Sequence, residues 1–127
     1  MKIAIPTRVA QIVSAVILII AAVMKFKGDP GAVEIFTTLE MEPTGRYLAG
    51  IFEMFAGLLL LSTHAALGSI LAIGMMTGAL IAHATRLGMV VNDDGGALVF
   101  QLAIVLVSSL FVAYSRRREI PVIGKSL

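Results

Sequence analysis

The sequence has no cysteine, no tryptophan and little charge: only 14% of its 127 residues are Asp, Glu, Lys or Arg. Without cysteine the chain carries no disulfide framework, no Cys-ligated zinc, no iron–sulfur cluster and no thiol redox chemistry. A soluble domain usually carries about 25% charged residues, and a disordered chain needs high charge with low hydrophobicity. Both classes are therefore excluded. The net charge of +2 comes from basic residues at the chain ends and between apolar runs. No basic stripe is interleaved with aromatics, so nucleic acid is not an expected partner. What is present is apolar: 58% hydrophobic residues and a mean hydropathy of +0.97. Such a chain belongs in a lipid bilayer.

Crossing the hydrocarbon core takes about 20 predominantly apolar residues in a helix. Four segments approach this length: Val9–Phe26, Gly45–Ser62, Ala65–Leu87 and Ala97–Tyr114. Runs such as Val16-Ile17-Leu18-Ile19-Ile20 are apolar on every side, without the alternation of a membrane strand. Helices satisfy their own backbone groups in lipid. The expected fold is thus all-α: a single domain over residues 1–127, a bundle of four transmembrane helices. The first run follows Lys2 and Arg8 and lacks a small-x-small cleavage site after Val23, so it reads as a retained signal anchor.

Four spans put both termini on one side. Lys2, Arg8, Arg116, Arg117, Arg118 and Lys125 flank that side, against Lys25, Lys27, Arg46 and Arg86 on the other. The excess places both termini in the cytoplasm of a cell with the chain in its cytoplasmic (inner) membrane. Three loops join the spans. The second is a tight turn at Ser62–His64, and the third holds the turn-forming Asn92-Asp93-Asp94-Gly95-Gly96. In the first, Asp29 is a candidate N-cap with Pro30 as first helical residue, and Val33, Phe36 and Leu39 recur at helical spacing. This predicts a short interfacial helix ending before Pro43, over the outer mouth of the bundle.

Ionisable groups inside a span are costly and call for a reason. Glu53 lies eight residues into the second span, about 12 Å deep at 1.5 Å per residue. Lys25 ends the first span, His83 lies four residues before the end of the third, and Gln101 four residues into the fourth. The topology brings all four to the outer half of the bundle, one from each helix, with Arg46 placed to cap them. Glu53 shares a helical face with Ala49, Ala56 and Gly57, and His83 with Gly74 and Gly78. Gly74-x-x-x-Gly78 is read as a packing face within the bundle in preference to a dimer contact. Met54, Met75 and Met76 are read as gap-filling apolar residues. The purely structural alternative is that these polar groups only lock helix packing, Gln101 above all as interhelical glue.

A quinone suits the cluster: its carbonyl accepts from His83 or Lys25, and Glu53 exchanges a proton. No metal is expected, because Lys25 repels a cation and no second intramembrane His exists. No cofactor is firmly implied, and no flavin, haem or nucleotide motif marks a complete catalytic centre. The chain is at most a subunit of a quinone-linked oxidoreductase. Its expected partners are the bilayer, a membrane or redox protein, and further copies of the chain.

Three stretches resemble the DoxX-like family of small four-helix membrane proteins. Ala21-Ala22-Val23-Met24-Lys25-Phe26 is similar to the family's first-helix ending, which closes on a lysine. Gly50-Ile51-Phe52-Glu53-Met54-Phe55-Ala56-Gly57 follows its glycine–x–x–glutamate–x–x–x–glycine pattern. Gly78-Ala79-Leu80-Ile81-Ala82-His83 is similar to its third-helix motif, with Ala82 in place of the common threonine and Met24 in place of a small residue. The resemblance runs from about Val9 to Tyr114. It implies a cytoplasmic-membrane protein with Lys25, Glu53 and His83 at family-typical positions. The family takes its name from a subunit associated with thiosulfate:quinone oxidoreduction, and relatives are linked to redox homeostasis or membrane-protein assembly. An assembly or scaffold protein is therefore the second functional reading.

Overall fold

The computed structural model describes residues 3–127; Lys2, one of the basic flanking residues, lies outside them. Every regular element in this range is helical. Helix α1 (Ile5–Lys27) starts with Pro6 in its first turn, where a missing N–H costs nothing, and ends at Gly28. Gly28 has φ 73°, a left-handed conformation that glycine adopts without strain. Helix α2 (Pro30–Thr38) is the short loop helix expected from the sequence. Asp29 caps it, accepting from the Ala32 amide at 3.4 Å. Helix α3 (Thr44–Leu60) and helix α4 (Ala65–Ala82) follow, α4 running on through a π-helical turn at His83–Leu87. Helix α5 (Ala97–Ser115) and two short 3₁₀ turns complete the chain.

Three helices are long and apolar enough to cross a membrane: Ile5–Lys27, Ala65–Leu87 and Ala97–Ser115. The second expected span, α3, has 17 residues and includes Arg46 and Glu53. At 1.5 Å per residue it measures about 26 Å, short of a ~30 Å hydrocarbon core.

Helices α1, α3, α4 and α5 pack as a bundle around Ala15, Leu18, Ala56, Leu60, Ala72, Met76, Val105 and Val112. Side-chain bonds far apart in sequence set the register. At one end the Gln11 amide donates to the Leu60 carbonyl at 2.8 Å. Arg116 donates to the Gln11 carbonyl oxygen at 3.1 Å and forms a 2.6 Å ion pair with Glu119. At the other end Lys25 of α1 reaches Glu53 of α3. Both α3 and α5 therefore run antiparallel to α1.

Small residues bring the helices close. A Cβ on Gly57 would lie 2.7 Å from Ile19 Cγ1, and one on Gly68 would lie 2.8 Å from the Leu60 backbone nitrogen. Gly74 and Gly78 behave differently from the sequence expectation. Both are exposed, and a Cβ on either would meet nothing within 4 Å. They are not an internal packing face: Gly78 borders the cavity described below, and α4 packs on Ala65, Ala66, Gly68, Ser69, Ala72 and Met76 instead.

The loop before α5 contains the expected turn, with Asn92 and Asp93 at positive φ. Asp94 is its anchor: its carboxylate accepts from the amides of Gly96 at 2.8 Å, Leu98 at 2.9 Å and Val91 at 3.3 Å. The Leu98 amide, then that of Gly96, holds this carboxyl below its ordinary value of 3.8. A depressed folded pKa adds stability that is present above the ordinary value and is lost as pH falls through the folded one. Acidification below the usual carboxylate range should thus release the first turn of α5. Lower protection of the Gly96 and Leu98 amides relative to their intrinsic exchange rates in acid, a pH dependence abolished by Asp94→Asn, is the expected result.

Candidate ligand-binding site

The site occupies the half of the bundle that holds the α1 C-terminus and the start of α3. The helix end is fixed first. The amides of Gly28 and Asp29 close the last turn of α1 onto the Lys25 and Met24 carbonyls at 3.2 and 3.1 Å. Arg46 of α3 also donates to the Lys25 carbonyl. It is itself held by Glu42, with Nε 2.9 Å from each carboxylate oxygen, and its guanidinium stacks over Tyr47. Arg46 thus does not cap the polar cluster as expected from sequence. Glu42 engages its charge, and it ties α3 to the end of α1.

With the helix end tied down, Lys25 reaches Glu53 across the α1–α3 interface at Nζ–Oε1 2.7 Å. Glu53 is only 5% exposed. One turn on either side, Gly50 and Gly57 keep the interface narrow: a Cβ on Gly50 would sit 2.9 Å from the Phe26 ring. The ion pair is therefore a product of close backbone approach, and it is neutral as a unit. An ammonium has three donors, so Lys25 retains N–H groups beyond the one facing Glu53.

His83 is 3% exposed and opens the π-helical turn. Its Nδ1 lies 2.9 Å from the Gly88 carbonyl, and a carbonyl only accepts, so Nδ1 carries the proton. The Gly88 amide returns a bond to the His83 carbonyl at 2.8 Å. Gly88 has φ 81°, which favours a glycine at this closure. The ring is thereby locked, and in its neutral form Nε2 is left as an acceptor. This corrects the expectation in one respect: a neutral His83 cannot donate to a ligand carbonyl, since its one N–H is already used.

These residues line a common cavity of about 320 Å³. Lys25, Glu53, His83 and Gln101 contribute its polar groups, one per helix, and Leu18, Met76 and Val105 form part of its apolar wall. Ile35, Phe36 and Leu39, from α2 and its C-cap, also border it. Gln101 is exposed and makes no hydrogen bond among the described residues, so it does not act as interhelical glue there. Among the described residues, no group of three or more His, Cys, Asp or Glu side chains is placed to hold a metal ion.

Two polar residues outside the sequence-derived set prove structural. Gln11 is 1% and Arg116 7% exposed, and together they lock the opposite end of the bundle. Gln11, an amide inside an apolar run, could have been found by the rule that singled out Gln101. The partnership with Arg116, 105 residues away, could not. No family model, curated protein or solved structure matches the chain.

Proposed function

We propose that the chain is a small DoxX-like membrane subunit that binds a quinone or similar lipophilic ligand and supports a redox partner protein. The observation that carries the reading is the 2.7 Å Lys25–Glu53 pair at the wall of a cavity that His83 also lines. Burying an ion pair in an apolar bundle is at best neutral for stability compared with well-packed hydrophobic residues. Its retention beside a cavity favours a binding role. Lys25 donates to a ligand carbonyl, His83 Nε2 accepts from a ligand hydroxyl, and Glu53 holds the ammonium in place. In this reading α3 is a fourth span, because it packs between α1 and α4 along their length, and α2 lies at the interface. Arg8, Arg117, Arg118 and Lys125 at the other end favour the reading that both termini are cytoplasmic and that the inner membrane of a cell holds the protein.

A specific observation also favours the scaffold reading. Arg46, Gln11 and Arg116 are polar residues of the same helices that do nothing but lock packing. Lipid extraction of purified protein followed by mass spectrometry separates the two. Wild type should release a quinone or related prenyl-tailed compound, and Glu53→Gln should release much less. Identical bound lipids from both proteins, with lower stability in the variant, would establish the scaffold.

A further inference from the structure

A second space adjoins the cavity. It is a groove of about 460 Å³ between α1 and α5, bordered above by the start of α2 and the loop before α5, where its polar residues Asp29, Asn92 and Asp94 lie. The two spaces share Ile17, Ala21, Lys25, Ile35, Leu98 and Gln101. They therefore meet beside the Lys25 ammonium and the Gln101 amide. On the far side of this junction the α1 wall is formed by Ile20 and Met24, which are 58% and 40% exposed. In a bilayer that side faces acyl chains. An amide on the lipid-facing surface of a span is unfavourable unless something pairs with it, and Gln101 is unpaired among the described residues.

We propose that this groove is a tail site: it holds the alkyl or prenyl chain of an amphiphile whose head lies in the Lys25–Glu53–His83 cavity. The proposal rests on the head-binding reading above. The ligand enters sideways from the membrane, between α1 and α5, because α2 with Ile35 and Phe36 stands over the cavity on its remaining side. The polar head passes Gln101 on the way in, and the chain stays behind in the groove. The class of ligand follows: a single compact ring or headgroup with one long apolar chain, in preference to a small water-soluble solute or a two-chain lipid.

The test uses the full chain in phosphatidylcholine vesicles with two probes, decylubiquinone and the tailless dimethoxy-methyl-benzoquinone that shares its head. Ile20→Trp with Met24→Trp fills the groove without touching the head cavity, and both positions are exposed enough to accept the larger side chain. Helical circular dichroism confirms the fold of the variant. Wild type should bind both probes. The variant should bind the tailless probe as wild type does and decylubiquinone about tenfold more weakly, equivalent to about 1.4 kcal/mol. Unchanged binding of both probes by the variant would overturn the tail site and leave the head site standing. Failure of wild type to bind either probe would remove the head site and the tail site together.

Discussion

Replacing Lys25 by Met is expected to destabilise the bundle by about 3–5 kcal/mol, the cost of leaving one member of a buried ion pair without its partner. Glu53 is the reason. Its side chain is 6% exposed against 18% for Lys25, and Lys25 is its ion-pair partner at 2.7 Å. Glu53→Gln should cost less, since the amide still accepts from Lys25 and the ammonium can lean toward the groove. The double variant Lys25→Met with Glu53→Leu should recover most of the loss, because an apolar pair of similar volume removes both desolvation penalties. Equilibrium unfolding in bicelles measures these variants and Glu53→Leu alone. A loss in the double variant equal to the sum of the Lys25→Met and Glu53→Leu losses would mean that the residues do not interact.

The second large effect is expected at Gly68. A Cβ there would lie 2.8 Å from the Leu60 nitrogen and 3.0 Å from the Ala56 carbonyl oxygen, both backbone atoms of α3. Backbone cannot move aside as a side-chain tip does. Gly68→Leu should therefore push α3 and α4 apart at a cost of about 1–3 kcal/mol or more. Gly74→Leu, about 1.7 turns further along the same helix, should be nearly neutral in the monomer because nothing lies within 4 Å of its Cβ position. Comparing the two unfolding midpoints checks that no neighbouring helix packs against Gly74. Equal losses would put Gly74 in a packed interface.

The four-helix pattern was legible because long apolar runs in a chain of this size leave few alternatives. Helix α2 was legible for a local reason: Asp29 and Pro30 supply a cap and a first-turn residue whatever surrounds them. The placement of Lys25 and Glu53 in the same half of the bundle followed from topology, since antiparallel helices bring the end of one to the start of the next; their direct pairing did not. Tertiary features escaped this kind of reading. The π-helical turn at His83 is closed by the amide of Gly88, five residues on, and the proton placement on its ring depends on the carbonyl of the same residue. Arg46 faced two candidate partners, and Glu42, four residues back in sequence, engages its charge instead of the cavity acid. Spacing alone could not tell a packed Gly-x-x-x-Gly stripe from an unpacked one, because the rotation of α4 is set by tertiary contacts such as Gly68 against α3. The groove between α1 and α5 belongs to no single segment and has no sequence signature.

The polar residues of the bundle fall into two groups. Gln11, Arg116 and Arg46 hold helix ends together, each engaged by protein groups. Lys25, His83 and Gln101 keep hydrogen-bonding capacity that no protein group uses among the described residues. They border one cavity and the groove that leads to it. A bundle stabilised only by polar locks has no need of the second group.

Thermal unfolding with and without decylubiquinone tests this division most directly, comparing wild type with the Lys25→Met, Glu53→Leu double variant. A ligand present at about one hundred times its Kd stabilises the folded state by about 2.7 kcal/mol. Wild type should therefore melt higher with the quinone, while the double variant, stable in its own right, should show no shift. An equal shift in both proteins, or none in wild type, would contradict the assignment of Lys25 and Glu53 to ligand binding.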